Sequence, residues 1–182
     1  MSSIKSFEEV AITAEGVPSV DFLAASEGML QMFDRLGHGV FSFIQADIRS
    51  NIAGLRARLN AHHDPTLEAV LASSDDHAIS CVVLLIRGFR YVCRALSILQ
   101  QHPELELYVC FKRAYDQVLK QHHSAFIRTL VAVAIRAAPS RTEFYRRIGQ
   151  GKEEEVVARA MGRWVAGLER IVTHMSPLLP YH

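Results

Sequence analysis

Apolar residues recur at intervals of three and four along almost the whole chain, and this spacing restricts the fold more than any other feature. It places apolar side chains on one face of a helix, whereas a half-buried strand requires strict alternation. No alternating run long enough for a strand is present. The sequence therefore predicts an all-α domain of about seven or eight helices, separated at glycine and proline residues.

The predicted helices follow one another with short connections. Their approximate ranges are 19–35, 40–61, 65–73, 77–101, 105–137, 140–148 and 153–175. Residues 1–17 are expected to form a loose leader, and residues 18–182 a single domain. The helix from residue 77 is apolar on nearly every side up to Ile86. Either a large core or a cavity for a chain-like ligand would account for such a helix.

Composition and charge exclude several classes of protein. The formal net charge of +1 gives no bulk attraction to nucleic acid. The longest uncharged apolar run, residues 78–86, is too short for a bilayer, which requires about twenty residues. The odd cysteine count, Cys81, Cys93 and Cys110, without a CxxC motif, favours buried, reduced thiols. We therefore expect a cytoplasmic protein that meets membranes only from outside.

Motifs for metal binding and catalysis are absent from the sequence. There is no HExxH, GxSxG, GxGxxG or phosphate-binding P-loop. The adjacent pairs His62-His63 and His122-His123 do not form a metal clip, because neighbouring residues of a helix point about 100° apart. We therefore expect no metal, no cofactor and no enzymatic activity.

Two polar residues interrupt the apolar face of the segment ADIRSNIAGLRARL, residues 46–59. Asp47 and Asn51 are four positions apart, so on a helix they stack at the edge of the apolar stripe. His123 occupies a similar position in a later stripe, four residues after Leu119. Taken alone, such a histidine is either a satisfied core residue or a functional one.

A column of arginines follows on the helix from residue 77. Arg87, Arg90 and Arg94 are spaced three and four apart, so they share one side of that helix. They form either a solvated edge or a contact for an anionic head group, since guanidinium groups match phosphate oxygens. The spacing does not decide between these alternatives.

Together, these residues resemble the glycolipid transfer protein family from about residue 19 to near the C-terminus. The motifs that carry the resemblance are FDRLG (33–37), ADIRSN (46–51), RGFRYV (87–92), AYDQVLKQHH (114–123) and AAPSRTEF (137–144). Their order and separations both match. The most specific part is the set of Asp47, Asn51, Arg87-Gly88 and His123.

The resemblance implies a two-layer sandwich of eight helices around an apolar lipid pocket, and a carrier that moves single sphingolipids between membranes without covalent change. Asp47 would accept the ceramide amide N–H and a head-group hydroxyl, and His123 would donate to the ceramide carbonyl. Asn51 would contact the head group, and Arg87 would hold this centre together by an ion pair with Asp47. Burying that amide unpaired would cost on the order of 1–3 kcal/mol.

The resemblance also implies the lining of the pocket and the partners. The expected pocket residues are Phe33, Leu36, Val40, Phe43, Ile44, Leu85, Phe89, Leu119, Phe126, Leu130 and Ala134. The family's membrane-docking tryptophan corresponds to Ala125, with Phe126 and the tail 176–182 as substitutes. The implied partners are one sphingolipid and, transiently, a membrane surface, and the protein is expected to be a monomer.

The head-group residues depart from both patterns within the family. Members that bind sugars carry a tryptophan at the position of Leu84 and a lysine at that of Gly54. Members that bind ceramide 1-phosphate carry a lysine at the position of Asn51 and arginines at those of Ser80 and Leu84. Asn51 slightly favours a glycosylceramide. Possible additional head-group contacts are Leu84, Arg90 and Arg94.

Three alternative functions remain open from the sequence. One is a carrier of ceramide 1-phosphate or another phosphorylated sphingolipid. Another is a sphingolipid sensor that binds its ligand without efficient transfer. The last is a helical interaction module without cargo, in which Asp47, Asn51 and His123 are structural.

Overall fold

The computed structural model describes residues 5–36 and 42–180, and this part of the chain is α-helical with no β-strand. The α-helices are α1 (Ser19–Leu36), α2 (Ser42–His62), α3 (Leu67–Leu71), α4 (Asp76–Gln101), α5 (Leu107–Val118), α6 (Ala125–Arg136), α7 (Arg141–Gly149) and α8 (Glu154–Met175). Short 3-10 helices span Phe7–Glu9, Lys120–His122 and Ser176–Leu178. The predicted all-α fold is confirmed.

Helix α4 is the centre of the two-layer sandwich, because it packs against α2, α3, α5 and α8. Its start is fixed by Asp75, whose carboxylate accepts a hydrogen bond of 3.0 Å from the backbone N–H of Ala78. Its apolar residues are buried on nearly all sides, as the sequence of residues 78–86 predicts. The other helices pack around this centre. Helix α1 contacts α2 and α7, α7 contacts α8, and α5 contacts α6.

The segment before α1 belongs to the core, so the expectation of a loose leader is wrong for residues 5–17. Phe7 is fully buried, and its ring makes edge-to-face contacts with Phe89 at 5.6 Å and with Trp164 at 5.3 Å. Gly167 on α8 permits this packing, because a Cβ there would lie 2.5 Å from the backbone carbonyl carbon of Phe7. An aromatic side chain with this much buried surface anchors the segment.

The long helix predicted for residues 105–137 is wrong, because the chain breaks between α5 and α6. A 3-10 turn follows α5, and His123 has an extended backbone with φ −109° and ψ 139°. The Ser124 hydroxyl then caps α6 by accepting a hydrogen bond of 3.4 Å from the backbone N–H of Ile127. His123 therefore lies in a connection, not on the helical face predicted for it.

The predicted pocket residues divide into three groups. Those buried in the core are Phe33, Leu36, Leu85, Phe89 and Ala134, and those half-buried are Ile44 and Leu119. Phe126 and Leu130 are 71% and 41% exposed and do not belong to the core, so their place in the pocket lining stays a prediction. Val40 and the side chain of Phe43 lie outside the described residues.

All three cysteines are buried and carry free thiols, as their apolar surroundings in the sequence indicate. Among residues 5–36 and 42–180, no helix is long and apolar enough to cross a bilayer. In the same part of the chain, no group of three or more His, Cys, Asp or Glu side chains is arranged to hold a metal ion.

Candidate functional site

Asp47 and Asn51 lie one turn apart on α2. The Asn51 side chain is only 7% exposed, and its Nδ2 donates a hydrogen bond of 2.9 Å to the backbone carbonyl of Asp47. Asp47 reaches the solvent. Partial removal of water raises the pKa of its carboxyl above the usual value, although a hydrogen bond from Asn51 and the proximity of His123 oppose this shift. The carboxylate is thus an oriented acceptor at the protein surface.

His123 completes the site from the connection between α5 and α6. Its Nδ1 lies 3.0 Å from the hydroxyl of Tyr115, a residue that is 6% exposed. Loss of water lowers the pKa of His123, as do the nearby charges of His122 and Arg128. The imidazole is therefore neutral at pH 7. With the tyrosine hydroxyl donating to Nδ1, we assign the remaining ring proton to Nε2.

The candidate site combines a hydrogen-bond acceptor with a hydrogen-bond donor. Asp47 and His123 are close enough for their charges to influence each other's pKa. The carboxylate oxygens of Asp47 accept, and Nε2–H of His123 donates. A secondary amide requires one acceptor for its N–H and one donor for its carbonyl. The pair therefore matches the polar groups of an amide.

Tyr115 is a residue of this site that the sequence analysis missed. It lies eight positions before His123, and on a continuous helix residues at that separation point about 80° apart. The break after α5 brings the two side chains together. Tyr115 is the second residue of the motif AYDQVLKQHH, but helical periodicity does not predict its contact with His123.

The end of the site next to Asn51 is filled by side chains from α4. A Cβ at Gly54, one turn after Asn51, would lie 2.6 Å from Cys81 Sγ and 2.9 Å from His77 Nε2. The space that a side chain at position 54 would need is thus occupied by Cys81 and His77. Leu84 is on the same helix and is 46% exposed. The surface available to a head group here is small and partly apolar.

The arginine column lies beside two surface cavities. Arg87 and Arg90 line one of about 320 Å³ together with His122, whose pKa is lowered by loss of water and by the charges of these two arginines. Arg90 and Arg94 line the other, of about 360 Å³. The Nε of Arg94 donates to Oε1 of Gln117 at 2.8 Å. The ion pair of Arg87 with Asp47 stays a prediction.

We expect acidification to destabilise the folded protein partly through His123. Its folded pKa lies below the ordinary value of 6.5, so the unfolded chain takes up the proton first. The free energy of unfolding therefore falls as the pH drops through about 6.5. The contribution of His123 to this loss is complete below the pKa that His123 has in the folded protein. Urea unfolding at pH 7.5, 6.5 and 5.5 measures this loss.

The variant His123→Gln lacks this titration and should lose less stability over the same interval. His122, whose pKa is lowered as well, keeps part of the pH dependence in that variant. His62→Gln, at the exposed end of α2, is the matched loss of a histidine. Identical pH curves for wild type and His123→Gln would contradict the prediction.

Comparisons with known proteins agree on the family and the fold of this chain. The family model described as glycolipid transfer protein matches residues 17–150. The glycolipid transfer protein of Aureobasidium melanogenum is 30% identical over 181 residues, covering 96% of this chain and 89% of the relative. The crystal structure of HET-C2, a fungal glycolipid transfer protein, is similar with a TM-score of 0.90 and 29% identity, covering 97% of this chain and 94% of that one. Human ceramide-1-phosphate transfer protein in complex with 12:0 ceramide-1-phosphate shares the fold, with a TM-score of 0.82 and 20% identity over 96% of this chain and 92% of that one. The chain belongs to the glycolipid transfer protein family and has the fold of these lipid transfer proteins.

Proposed function

We propose that this protein carries single sphingolipids between membranes without chemical change, and that a glycosylceramide is the favoured cargo. The observation that carries the proposal is that Asp47 and His123, an acceptor and a donor of the kinds that suit the ceramide amide, lie near enough to influence each other's pKa. A glycerolipid with two ester linkages has no amide N–H to offer Asp47. Selection for sphingolipids follows from this difference.

The chains of the lipid contribute little to selection. A lipid with roughly 30 methylenes gains about 0.8 kcal/mol for each one removed from water, but the bilayer offers nearly the same gain. A few kcal/mol at the amide and the head group therefore decide which lipid is taken. Such a near balance also allows release, which a carrier requires.

The head-group end of the site supports a small, uncharged group. Asn51 has a carboxamide that can donate to and accept from sugar hydroxyls. His77 and Cys81 fill the space beside Gly54, which leaves room for one sugar better than for several. A phosphorylated sphingolipid is the second candidate, because Arg87 and Arg90 line a cavity next to His122.

The outer face of α6 suits transient contact with a membrane surface. Phe126, Leu130 and Val133 are 71%, 41% and 64% exposed and lie along one side of this helix. The charged residues of α6 are Arg128 and Arg136, both cationic. An exposed apolar helix face with basic residues favours the interface of a bilayer that contains anionic lipid. We infer that the protein docks through this face.

Shortening this face should weaken binding to vesicles. Phe126→Ala is expected to lower the partition coefficient on vesicles with anionic lipid by about tenfold, since burying a phenylalanine gains about 1.5–3 kcal/mol. Val133→Ala should lower it by a smaller factor. Val20 on α1 is 72% exposed, so Val20→Ala is a matched control that should bind like wild type. Vesicle sedimentation measures the three variants, and equal losses for Val133→Ala and Val20→Ala would contradict docking through α6.

We propose that the carrier is a monomer, as the resemblance to the family implies. The three buried free thiols support a reducing, cytoplasmic location from which the protein approaches membranes peripherally.

A vesicle-to-vesicle transfer assay tests the proposed function. Donor vesicles carry, in turn, glucosylceramide, ceramide 1-phosphate, sphingomyelin and a diacyl glycerolipid of matched chain length. We expect glucosylceramide to be transferred fastest and the glycerolipid not at all. Preference for ceramide 1-phosphate would instead assign the head group to the arginine cavity. Binding without transfer would indicate a sensor, and no uptake by a folded protein would leave an interaction module.

A further inference from the structure

Tyr91 carries a polar atom that the fold leaves unused. In the described part of the chain, two buried side-chain oxygens have no hydrogen-bond partner, the hydroxyls of Ser19 and Tyr91. Ser19 is the first residue of α1, whereas Tyr91 lies in the middle of α4 and is 4% exposed. Removal of water raises the pKa of the Tyr91 hydroxyl well above its usual range. An unpaired hydroxyl in an apolar core destabilises a folded protein, so a tyrosine here calls for an explanation.

The position of Tyr91 connects it to the amide site. Its ring packs edge-on against Tyr115 at 6.1 Å and against Phe111 at 5.7 Å, at the junction of α4 and α5. The hydroxyl of Tyr115 in turn bonds to His123. Exposure decreases along this row, from half-buried His123 to buried Tyr115 and Tyr91. Tyr91 therefore lies beyond Tyr115, on the inner side of the row that begins at His123, the residue proposed to face the lipid carbonyl.

We propose that Tyr91 binds a hydroxyl group on the acyl chain of the lipid, close to the amide, and that the protein prefers sphingolipids with a 2-hydroxylated acyl chain. A tyrosine hydroxyl both donates and accepts, so it pairs with an alcohol. Carbon 2 of the acyl chain is bonded to the amide carbonyl carbon, the group proposed for His123. A hydroxyl at carbon 2 thus enters the protein beside the carbonyl. This inference rests on the proposed function and names the acyl chain that the same site selects.

The Tyr91 hydroxyl would also distinguish a 2-hydroxylated acyl chain from a plain one, which a purely apolar wall would not do. Against a plain acyl chain the hydroxyl stays unpaired, whereas against a 2-hydroxyacyl chain both hydroxyls are satisfied. The difference is one net hydrogen bond, which corresponds to about a three- to tenfold preference. The variant Tyr91→Phe keeps the ring and its packing on Phe111 and Tyr115, and removes only the oxygen.

The test compares two glucosylceramides that differ only at carbon 2, N-palmitoyl and N-(2-hydroxypalmitoyl) glucosylceramide, in the same transfer assay. Wild type should transfer the hydroxylated lipid about three to ten times more efficiently, and Tyr91→Phe should transfer both equally. Tyr145→Phe is the control, since this tyrosine on α7 is also buried, with 3% exposure. It should keep the wild-type preference. Without lipid, Tyr91→Phe should melt about 2–4 °C higher, because the unpaired hydroxyl is gone.

Three results would overturn the inference. Wild type could transfer the two lipids equally, or Tyr91→Phe could keep the preference of wild type. An unchanged or lower melting temperature for Tyr91→Phe would show that the hydroxyl is satisfied without lipid. Transfer of both glucosylceramides without preference leaves the proposed function intact and removes only the role of Tyr91. No transfer of either lipid removes both.

Discussion

The replacement Asp47→Val should reduce glucosylceramide transfer by about 10- to 100-fold. It removes the proposed acceptor for the ceramide N–H and would leave that N–H unpaired in a partly desolvated site, where a hydrogen bond to a charged group is worth about 1.5–3 kcal/mol. The fold should persist, because the carboxylate reaches solvent and Asn51 donates to the backbone carbonyl of residue 47, which valine retains. Transfer rates with far-UV circular dichroism and thermal melting measure both expectations.

Two further variants make this result specific. Asp47→Asn keeps an acceptor oxygen without the charge, so its loss of transfer should be intermediate. Asp21→Val removes an acid that pairs with Lys5 at 2.6 Å on the surface of α1, where an ion pair contributes little. It should transfer like wild type. Two results would contradict a role of Asp47 in binding the amide. Asp47→Val could transfer glucosylceramide as fast as wild type, or it could lose transfer only because it no longer folds.

The replacement Gly167→Ala should destabilise the protein by about 3 kcal/mol and lower its melting temperature by about 6–12 °C. The new Cβ would lie 2.5 Å from the backbone nitrogen of Glu8 and 2.6 Å from the backbone oxygen of Phe7. Backbone atoms cannot turn aside as a long side chain does. The 3-10 segment must therefore shift, and the fully buried ring of Phe7 loses its contacts.

Gly162→Ala, on the same helix, isolates this effect. Its Cβ would approach the amide of Gln100 at 3.4 Å, an ordinary contact with the end of a long side chain. Alanine also favours a helix interior over glycine by roughly 1 kcal/mol, so this variant should be as stable as wild type or more so. Equal melting temperatures for the two variants would show that the segment at Phe7 does not depend on Gly167.

Most helices could be predicted from the sequence because each is bounded by a proline, a glycine or a capping residue. The exception lies between α5 and α6, where apolar spacing continues across the break. There the hydroxyl of Ser124 competes for the backbone N–H of Ile127, and this local hydrogen bond leaves no trace in the apolar period. The role of residues 5–17 was missed for another reason. Phe7 packs against Trp164 of α8, which is more than 150 residues away in the sequence.

The candidate site was predictable only in part. Asp47 and Asn51 stand out because polar groups interrupt an apolar row, and the family motifs supply the partner His123. Tyr115 meets His123 only through the bend of the chain, and the unpaired hydroxyl of Tyr91 appears only when its neighbours are known. Both are tertiary properties that spacing along the chain does not contain.

Apolar periodicity also does not distinguish a face that meets the core from one that meets a bilayer. Phe126 and Leu130 have the spacing of core residues, yet both are exposed on α6. The apolar residues of a helix that packs on a core and those of a helix that lies on a membrane both recur at intervals of three and four. Only the position of α6 in the fold separates the two cases.

The interruption between α5 and α6 has a mechanical consequence. Because no continuous ladder of helical hydrogen bonds joins them, the tilt of α6 relative to α5 is set by side-chain packing and by the cap at Ser124. A change in that tilt breaks no backbone hydrogen bond inside either helix. The orientation of the outer helix therefore depends on tertiary contacts, among them the hydrogen bond from Arg128 Nε to the carbonyl of Lys120, and not on the backbone of α5.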